Sequence, residues 1–211
     1  MMQATTWGGT LALLMTTALG AQDTPIRATT EDGRWVLLHA NGKWEFEARP
    51  AEEPLSGVRF QRPAASTAQR EIFPNVAAIY YDPSKWTPKP SDDRTRFTFE
   101  HTNGDGYALV IKERIQVPLR SLKEIAFTNA RNAAPDAAIT YEDSRIVNGV
   151  KVICIQIQGT ASGVPFTYFG YYYSGKAGII QVVTYTGQNL FEEYENDFRD
   201  FLNGLTVTES R

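Results

Sequence analysis

The chain has 211 residues, of which 42% are apolar and 21% charged, and its formal net charge is −3. A chain of this length and composition can bury a core of its own, so global disorder is excluded. Positive and negative residues are interspersed without a basic patch, and we expect no nucleic-acid partner because phosphate binding needs clustered Lys and Arg.

Residues 1–21 have the pattern of a secretory signal peptide. An uncharged, mostly apolar stretch runs from Thr10 to Leu19, and the small residues Gly20 and Ala21 follow it. No positive charge precedes the stretch, so an ordinary disordered terminus is the alternative. The stretch is too short to span a bilayer as a helix. The pattern predicts a periplasmic or secreted protein with no membrane insertion after removal of the leader.

Residues 22–48 predict a separate N-terminal β-hairpin module. Asn41 and Gly42 tolerate positive φ and give the strongest short hairpin signal in the chain. A two-residue turn at this position puts five side chains on one face: Trp35, Leu37, His39, Trp44 and Phe46. A lone two-stranded ribbon is marginal in water, so we expect the hairpin to dock on the main domain, a partner or a copy of itself.

Residues 49–70 are rich in Pro, Ala, Ser and charge, and they predict a linker with a short extended piece at 58–60. A globular domain over 71–211 follows. Apolar residues recur at helical spacing between Leu119 and Ala130, and again from Leu190 to Leu205 opposite a row of acids. Both stretches predict amphipathic helices.

Four strand-like segments between these helices are joined by short turns and predict an antiparallel meander. In the stretch FTYFGYYY both alternating faces are aromatic: Phe166, Tyr168 and Tyr172 on one, and Phe169, Tyr171 and Tyr173 on the other. A half-exposed sheet would have one polar face, so we expect helices on both faces. This predicts an α+β fold: a central antiparallel β-sheet in an α/β/α sandwich, preceded by the N-terminal β-hairpin.

The loop DPSKWTPKPSDDRTR is the main surface candidate, because Trp86 lies among cations. An exposed Trp beside Lys or Arg can hold an anionic or sugar ligand. The alternative is that Trp86 folds back over the sheet edge as a lid. The tyrosines of the meander could instead line a groove, although a role in the core is favoured. The candidate binding residues are Trp86, Arg94, Arg96, Tyr171 and Tyr173.

No catalytic motif stands out, and we predict that the chain is not an enzyme. The single cysteine, Cys154, lies in an apolar strand far in sequence from His39 and His101, so a small buried hydrophobe is favoured over a nucleophile. Two distant histidines and one cysteine exclude an ordinary zinc site, and we expect no metal and no cofactor. A hydrolase would need acids such as Glu100, Asp136 or Glu142 to face a second acid across a pocket.

Four stretches, YYDPSKW, IVNGVKV, GYYYSG and FRDFLNGL, resemble those of PsbP-like proteins, whose fold is shared with the Ran-binding import factor Mog. The resemblance covers about Pro74 to Val207. It implies an α/β/α sandwich around an antiparallel sheet, and it implies no activity, because members are accessory, assembly or binding proteins.

The expected function is therefore that of a non-catalytic envelope or secreted accessory protein that binds an unknown protein or small ligand. Two alternatives stay open. One is a hydrolase that uses surface carboxylates, and the other is a structural component of a larger envelope assembly.

Overall fold

The computed structural model describes residues 25–29, 35–46 and 58–208. The predicted leader, residues 1–21, lies outside the described residues, as do residues 49–57 of the predicted linker. The elements in chain order are β1 (Ile26–Thr29), β2 (Trp35–Leu38), β3 (Trp44–Phe46), β4 (Val58–Phe60), β5 (Ala68–Phe73), β6 (Ala77–Tyr81), β7 (Trp86–Pro88), β8 (Arg96–His101), β9 (Tyr107–Glu113), α1 (Leu119–Ala133), β10 (Ala138–Val147), β11 (Val150–Ala161), β12 (Val164–Gly175), β13 (Gly178–Gly187), α2 (Phe191–Leu202) and β14 (Leu205–Val207).

A large eight-stranded sheet has the order β4-β10-β11-β12-β13-β9-β8-β7. All its neighbouring strands are antiparallel except β4, which runs parallel to β10. Strands β10 to β13 follow one another as the predicted meander. Asn148 and Gly149, with φ of 48° and 92°, make the tight turn between β10 and β11 that their sequence predicts.

Both faces of the meander are covered. Phe169, Tyr171 and Tyr173 pack in the core on the side of α2, whereas Phe166 and Tyr172 pack on the side of α1. The α1 residues that are buried recur every four positions, and the buried residues of α2 likewise form one stripe: Leu122, Ala126 and Ala130 in α1, and Phe191, Tyr194, Phe198, Phe201 and Leu202 in α2. The sandwich predicted from the aromatic run is present around the centre of the sheet.

A second, three-stranded sheet of order β14-β6-β5 shares the side of α2 and was not expected from the sequence. Strands β4 and the first half of β5 fall inside the stretch 49–70 that predicts a linker. Strand β4 has three residues and pairs with β10 across a long separation in sequence, so no local pattern marks it. The sheet order also makes β5 an edge strand, with β6 as its one partner in this sheet.

Asn148 ties distant segments together. Its side-chain Nδ2 donates to the carbonyl oxygens of Asn203 (2.8 Å) and Leu205 (2.7 Å), and its Oδ1 accepts from the backbone N–H of Arg62 (2.8 Å). Its own backbone N–H donates to the carbonyl of Phe60 at 3.1 Å. One turn residue therefore links the ends of β4, α2 and β14.

The N-terminal strands form a separate three-stranded sheet of order β1-β2-β3, and the register predicted for its hairpin is wrong by one residue. Leu37 lies opposite Glu45, not opposite Phe46. The loop holds three residues instead of two, because the His39 N–H donates to the Lys43 carbonyl at 2.8 Å and Gly42 takes a φ of 78° as the last loop residue.

This register changes which side chains share a face, because successive strand residues point to opposite sides. The face that carries Trp44 is built from six apolar residues: Ile26, Ala28, Val36, Leu38, Trp44 and Phe46. Leu37 and His39, predicted on this face, lie on the other one, where His39 Nε2 is 3.2 Å from Glu45 Oε1. The new face is more uniformly apolar than the predicted one.

Neither of the two described helices has both the length and the apolar character that crossing a membrane would require.

Candidate functional site

A groove of about 500 Å³ opens between β5 and the loop that joins β7 to β8. Strand β5 forms one wall and the loop forms the other, while β8 and β9 supply the floor. The lining residues are Gln69, Arg70, Glu71, Ser91, Asp93, Arg94, Phe97 and Lys112. The groove lies where the smaller sheet meets the end of the large one, on the side of α2.

Three cations converge on this groove: Arg70, Arg94 and Lys112. The Arg70 guanidinium carbon is 4.8 Å from the centroid of the Phe97 ring, and Lys112 Nζ is 5.2 Å from the same centroid. Across the part of the chain that the structure describes, none of the three forms an ion pair. Arg70 and Arg94 are exposed, so the groove presents positive charge to solvent, whereas the ring of Phe97 is buried next to Arg70 and Lys112.

The pKa of Lys112 reflects its burial and the positive charges around it in the groove. Its Nζ donates to the carbonyl oxygen of Ile72 in β5 at 2.5 Å. Burial lowers the pKa of Lys112, and the positive charges of Arg114 and Arg70 lower it further. An anion beside Lys112 would oppose this effect, because a nearby negative charge favours the protonated amine.

The two acids of the groove are engaged in local turns. Glu71 Oε1 accepts the backbone N–H of Asn75 at 2.8 Å, and Asp93 Oδ1 accepts the backbone N–H and the hydroxyl of Thr95 at 2.7 and 2.6 Å. These hydrogen bonds lower the pKa of Asp93. Both carboxylates stabilise the walls and keep their negative charge, so the three cations exceed the two acids of the groove by one charge.

Of the predicted binding residues, Arg94 lies in the groove but Arg96 does not. Arg96 directly precedes Phe97, whose ring is in the groove, and successive residues of a strand point to opposite faces. Arg96 is exposed on the other face of β8. The spacing of two residues between the arginines would suggest one cluster, but Arg94 belongs to the loop and Arg96 to the strand.

Trp86 lies in the core and does not reach a binding surface. Its residue exposure is 2%, and its ring centroid is 4.7 Å from that of Phe201 and 6.0 Å from that of Phe198. The expectation of an exposed Trp is therefore wrong, and the alternative reading, in which Trp86 folds back over the sheet, agrees with this burial. Helix α2 covers the ring because its aromatic stripe faces β7 and β8.

Tyr171 and Tyr173 are also buried, with exposures of 0% and 3%, so they line no open groove. Tyr171 is part of a polar network around Arg145. The Tyr171 hydroxyl accepts from Arg145 Nη1 at 3.0 Å and donates to Asn203 Oδ1 at 2.9 Å. Burial raises the pKa of Tyr171 to about 12. The network identifies this tyrosine as a structural residue of the core.

The sequence did not predict a role for Arg145. It is 3% exposed, its Nε donates to both oxygens of Asp143 at 2.9 and 3.1 Å, and its Nη2 donates to the Tyr141 hydroxyl at 3.2 Å. A buried arginine needs such partners, since burying an unpaired charge is costly. The signal in the sequence is the alternation of Tyr141, Asp143 and Arg145 on one face of a strand.

A second polar cluster links the loop before β7 to α2. Asp197 accepts from Lys85 Nζ at 2.5 Å and contacts His101 Nε2 at 3.0 Å, while His101 Nδ1 accepts the backbone N–H of Asn103 at 3.2 Å. Because Nδ1 is an acceptor, Nε2 carries the proton and donates it to Asp197. The cavity beside Lys85, which Asp82 and Asp200 also line, is about 40 Å³ and has room for only a few water molecules.

Each of the acids that a hydrolase would use is bound to another partner. Glu100 pairs with Lys89, Glu142 pairs with Lys123, and Asp136 accepts the backbone N–H of Thr160. Cys154 is fully buried, and this burial raises the pKa of its thiol to about 12.

Within residues 25–29, 35–46 and 58–208, no group of three His, Cys, Asp or Glu is arranged to hold a metal ion.

No protein-family model and no curated protein matches the chain. Its structure is similar to that of cyanobacterial PsbP from Synechocystis sp. PCC 6803, with a TM-score of 0.51 and 11% identity over 74% of this chain and 99% of that one. It is also similar to a Pseudomonas aeruginosa protein of unknown function (TM-score 0.46, 9% identity, 68% and 98% covered) and to LpqN, involved in cell envelope biogenesis of Mycobacterium tuberculosis (0.41, 8%, 63% and 83%). Since identities this low speak for the fold alone, the chain is a protein with a PsbP-like fold.

Proposed function

We propose that this protein is a non-catalytic accessory protein that binds an anionic partner in the groove beside β5. The observation that carries the proposal is the convergence of Arg70, Arg94 and Lys112 on about 500 Å³ of open space, with no ion pair among the described residues. Charged groups that remain unpaired at a concave surface favour ligands of opposite charge. The excess of positive charge in the groove contrasts with the overall charge of −3.

The absence of catalysis is part of the proposal, and it is supported by how the reactive groups are held. Of the cluster of Lys85, Asp197 and His101, Lys85 lines the adjacent cavity, and this cavity is too small for a substrate. The thiol of Cys154 is buried, and its raised pKa keeps it protonated at neutral pH. Location in the periplasm or outside the cell is also proposed, and this rests on the leader pattern of residues 1–21.

The experiment measures binding of two anionic probes, inorganic tripolyphosphate and a glutamate-rich peptide, by isothermal titration calorimetry at low salt. The double variant Arg70→Glu/Arg94→Glu should bind at least about tenfold more weakly, and salt should weaken wild-type binding. Arg120→Glu is the matched control, because Arg120 is an exposed arginine on α1, across the sheet from the groove. Equal losses in both variants, or no binding of either probe to the wild-type protein, would contradict the proposal.

A second candidate function, a structural component of a larger assembly, is favoured by the N-terminal sheet. On its apolar face Ile26, Leu38 and Trp44 are 70%, 39% and 58% exposed. Apolar side chains clustered on one small sheet mark an interaction surface more often than chance exposure does. Affinity capture from an envelope extract, with the intact protein and with residues 22–48 deleted, tests this role. Recovery of the same partners by both proteins would exclude the N-terminal sheet as the recognition element.

A further inference from the structure

The wall of the groove formed by β5 is an edge of a sheet. In the order β14-β6-β5, β5 has β6 on one side, and its consecutive residues Gln69, Arg70 and Glu71 all line the groove. A side-chain wall would contribute alternate residues, whereas three in succession indicate that the backbone itself borders the space. Edge strands present unpaired N–H and C=O groups, which can template another strand.

The contact between Lys112 and Ile72 shows that this backbone edge is directed at the cations. Ile72 is fully buried at the register shift between β5 and β6, and its carbonyl oxygen accepts a hydrogen bond from the Lys112 side chain. Lysine is a residue that proteins use to guard an edge against unwanted pairing. An incoming strand with a carboxylate would give this ammonium a second, negatively charged partner.

The charges select the chemistry of the incoming strand. Arg70 lies on β5, Arg94 lies across the groove, and Lys112 lies on the floor beside the ring of Phe97. A strand in which acidic residues alternate with apolar ones would place its carboxylates on one side, toward the cations. A long nucleic acid or polyphosphate would extend beyond the groove over a protein of net charge −3.

We infer that β5 is a docking edge for an extended acidic polypeptide, which adds as a further strand along residues 69–71 and sets its carboxylates against Arg70, Arg94 and Lys112. This inference rests on the proposed function of the groove and identifies the class of its partner. The mode is β-strand addition, in which backbone hydrogen bonds provide affinity and alternate side chains provide specificity.

The test uses the full chain and a synthetic peptide that alternates Glu and Val over about six residues, since β5 has six. Two further peptides of the same sequence carry N-methyl groups, one on each set of alternate residues. A strand turns alternate N–H groups to one side, so one methylated peptide should bind at least about tenfold more weakly and the other should bind as the parent does. Amide NMR shifts should map the parent peptide to residues 69–71.

The outcomes separate this inference from the proposal on which it rests. If both methylated peptides bind as well as the parent, strand addition is overturned, and the groove is a site for charge alone. If no peptide binds but tripolyphosphate does, and Arg70→Glu/Arg94→Glu abolishes its binding, the partner is not a polypeptide and the proposed function stands. If neither peptide nor tripolyphosphate binds, both fall. Because the methylated peptides are compared on the wild-type protein, the test of strand addition does not depend on whether a variant folds.

Discussion

Two groups of arginines on the same domain differ in their partners. Arg145 is 3% exposed and its guanidinium donates to Asp143, Tyr141 and Tyr171. Arg70 and Arg94 are exposed beside the groove and form no ion pair with any residue in the described ranges. The sequence surrounds both groups with aromatic and acidic residues, so composition alone does not distinguish them. The comparison shows that an arginine is structural where the fold places an acid beside it, and is available for binding where it does not.

The largest expected effect comes from breaking the buried network. Arg145→Ala should lower the free energy of unfolding by about 3 kcal/mol, because it removes buried packing, the ion pair with Asp143 and the hydrogen bonds to two hydroxyls. Chemical denaturation monitored by fluorescence measures the change. Arg120→Ala serves as the control and should lie within about 0.5 kcal/mol of the wild type. A similar small change for Arg145→Ala would mean that the network does not stabilise the fold.

Alkaline pH should act on the same network. The pKa of Tyr171 is raised by burial to about 12 in the folded protein, whereas an unfolded tyrosine ionises near 10. The stabilising contribution is therefore fully present below pH 10 and is lost as the pH rises toward 12, at about 2–3 kcal/mol for this residue. Unfolding curves between pH 8 and about 12 measure the loss. In Tyr171→Phe the decline should be shallower, and an unchanged slope would contradict the assignment.

The two tyrosines of the network should differ in energy. Tyr171→Phe removes a buried hydroxyl that bridges Arg145 and Asn203, at about 1–2 kcal/mol near neutral pH. Tyr141 is 42% exposed, so water can replace its hydroxyl, and Tyr141→Phe should change stability by less than about 0.5 kcal/mol. Thermal melts of both variants give the ranking, and a reversed order would contradict the burial argument.

The groove cations should have the smallest effect on stability. Arg70→Ala and Arg94→Ala should each stay within about 0.5 kcal/mol of the wild type, because no described acid loses its partner. Removing Arg70 should also raise the pKa of Lys112, since the charge of Arg70 helps to lower it. NMR titration of the lysine side chain measures this pKa. A destabilisation of several kcal/mol would show that these arginines are structural, like Arg145.

Local patterns predict the centre of the fold well. The turn at Asn148 and Gly149, the two-sided aromatic strand around Tyr171 and the stripe of α2 all depend on residues close in sequence, and all are present in the structure. Strand β4 and the small sheet were missed because their pairing partners lie far away along the chain. In the N-terminal hairpin, a loop longer by one residue shifted the register, so the side chains of β2 that share a face with Trp44 are not the predicted ones.

The candidate site was less predictable than the fold. Arg94 was expected to bind, but Arg70, Phe97 and Lys112 come from different strands, and only the packing of the small sheet brings them together. Trp86 was expected at a surface because it lies in a loop rich in Pro and Lys, yet the stripe of α2 buries it. Residues that come together from two different sheets have no regular spacing in the sequence, so no sequence pattern marks the site.

The hydrogen bonds of Asn148 connect the first and last strands of the domain. The side chain of Asn148 bonds to the segment that follows β4 and to the segment between α2 and β14, so one residue holds both ends of the domain. These ends should open together in native-state hydrogen exchange, although more than a hundred residues separate them. Replacing Asn148 with Gly would keep the turn but uncouple the ends, and their amides would then exchange at separate rates.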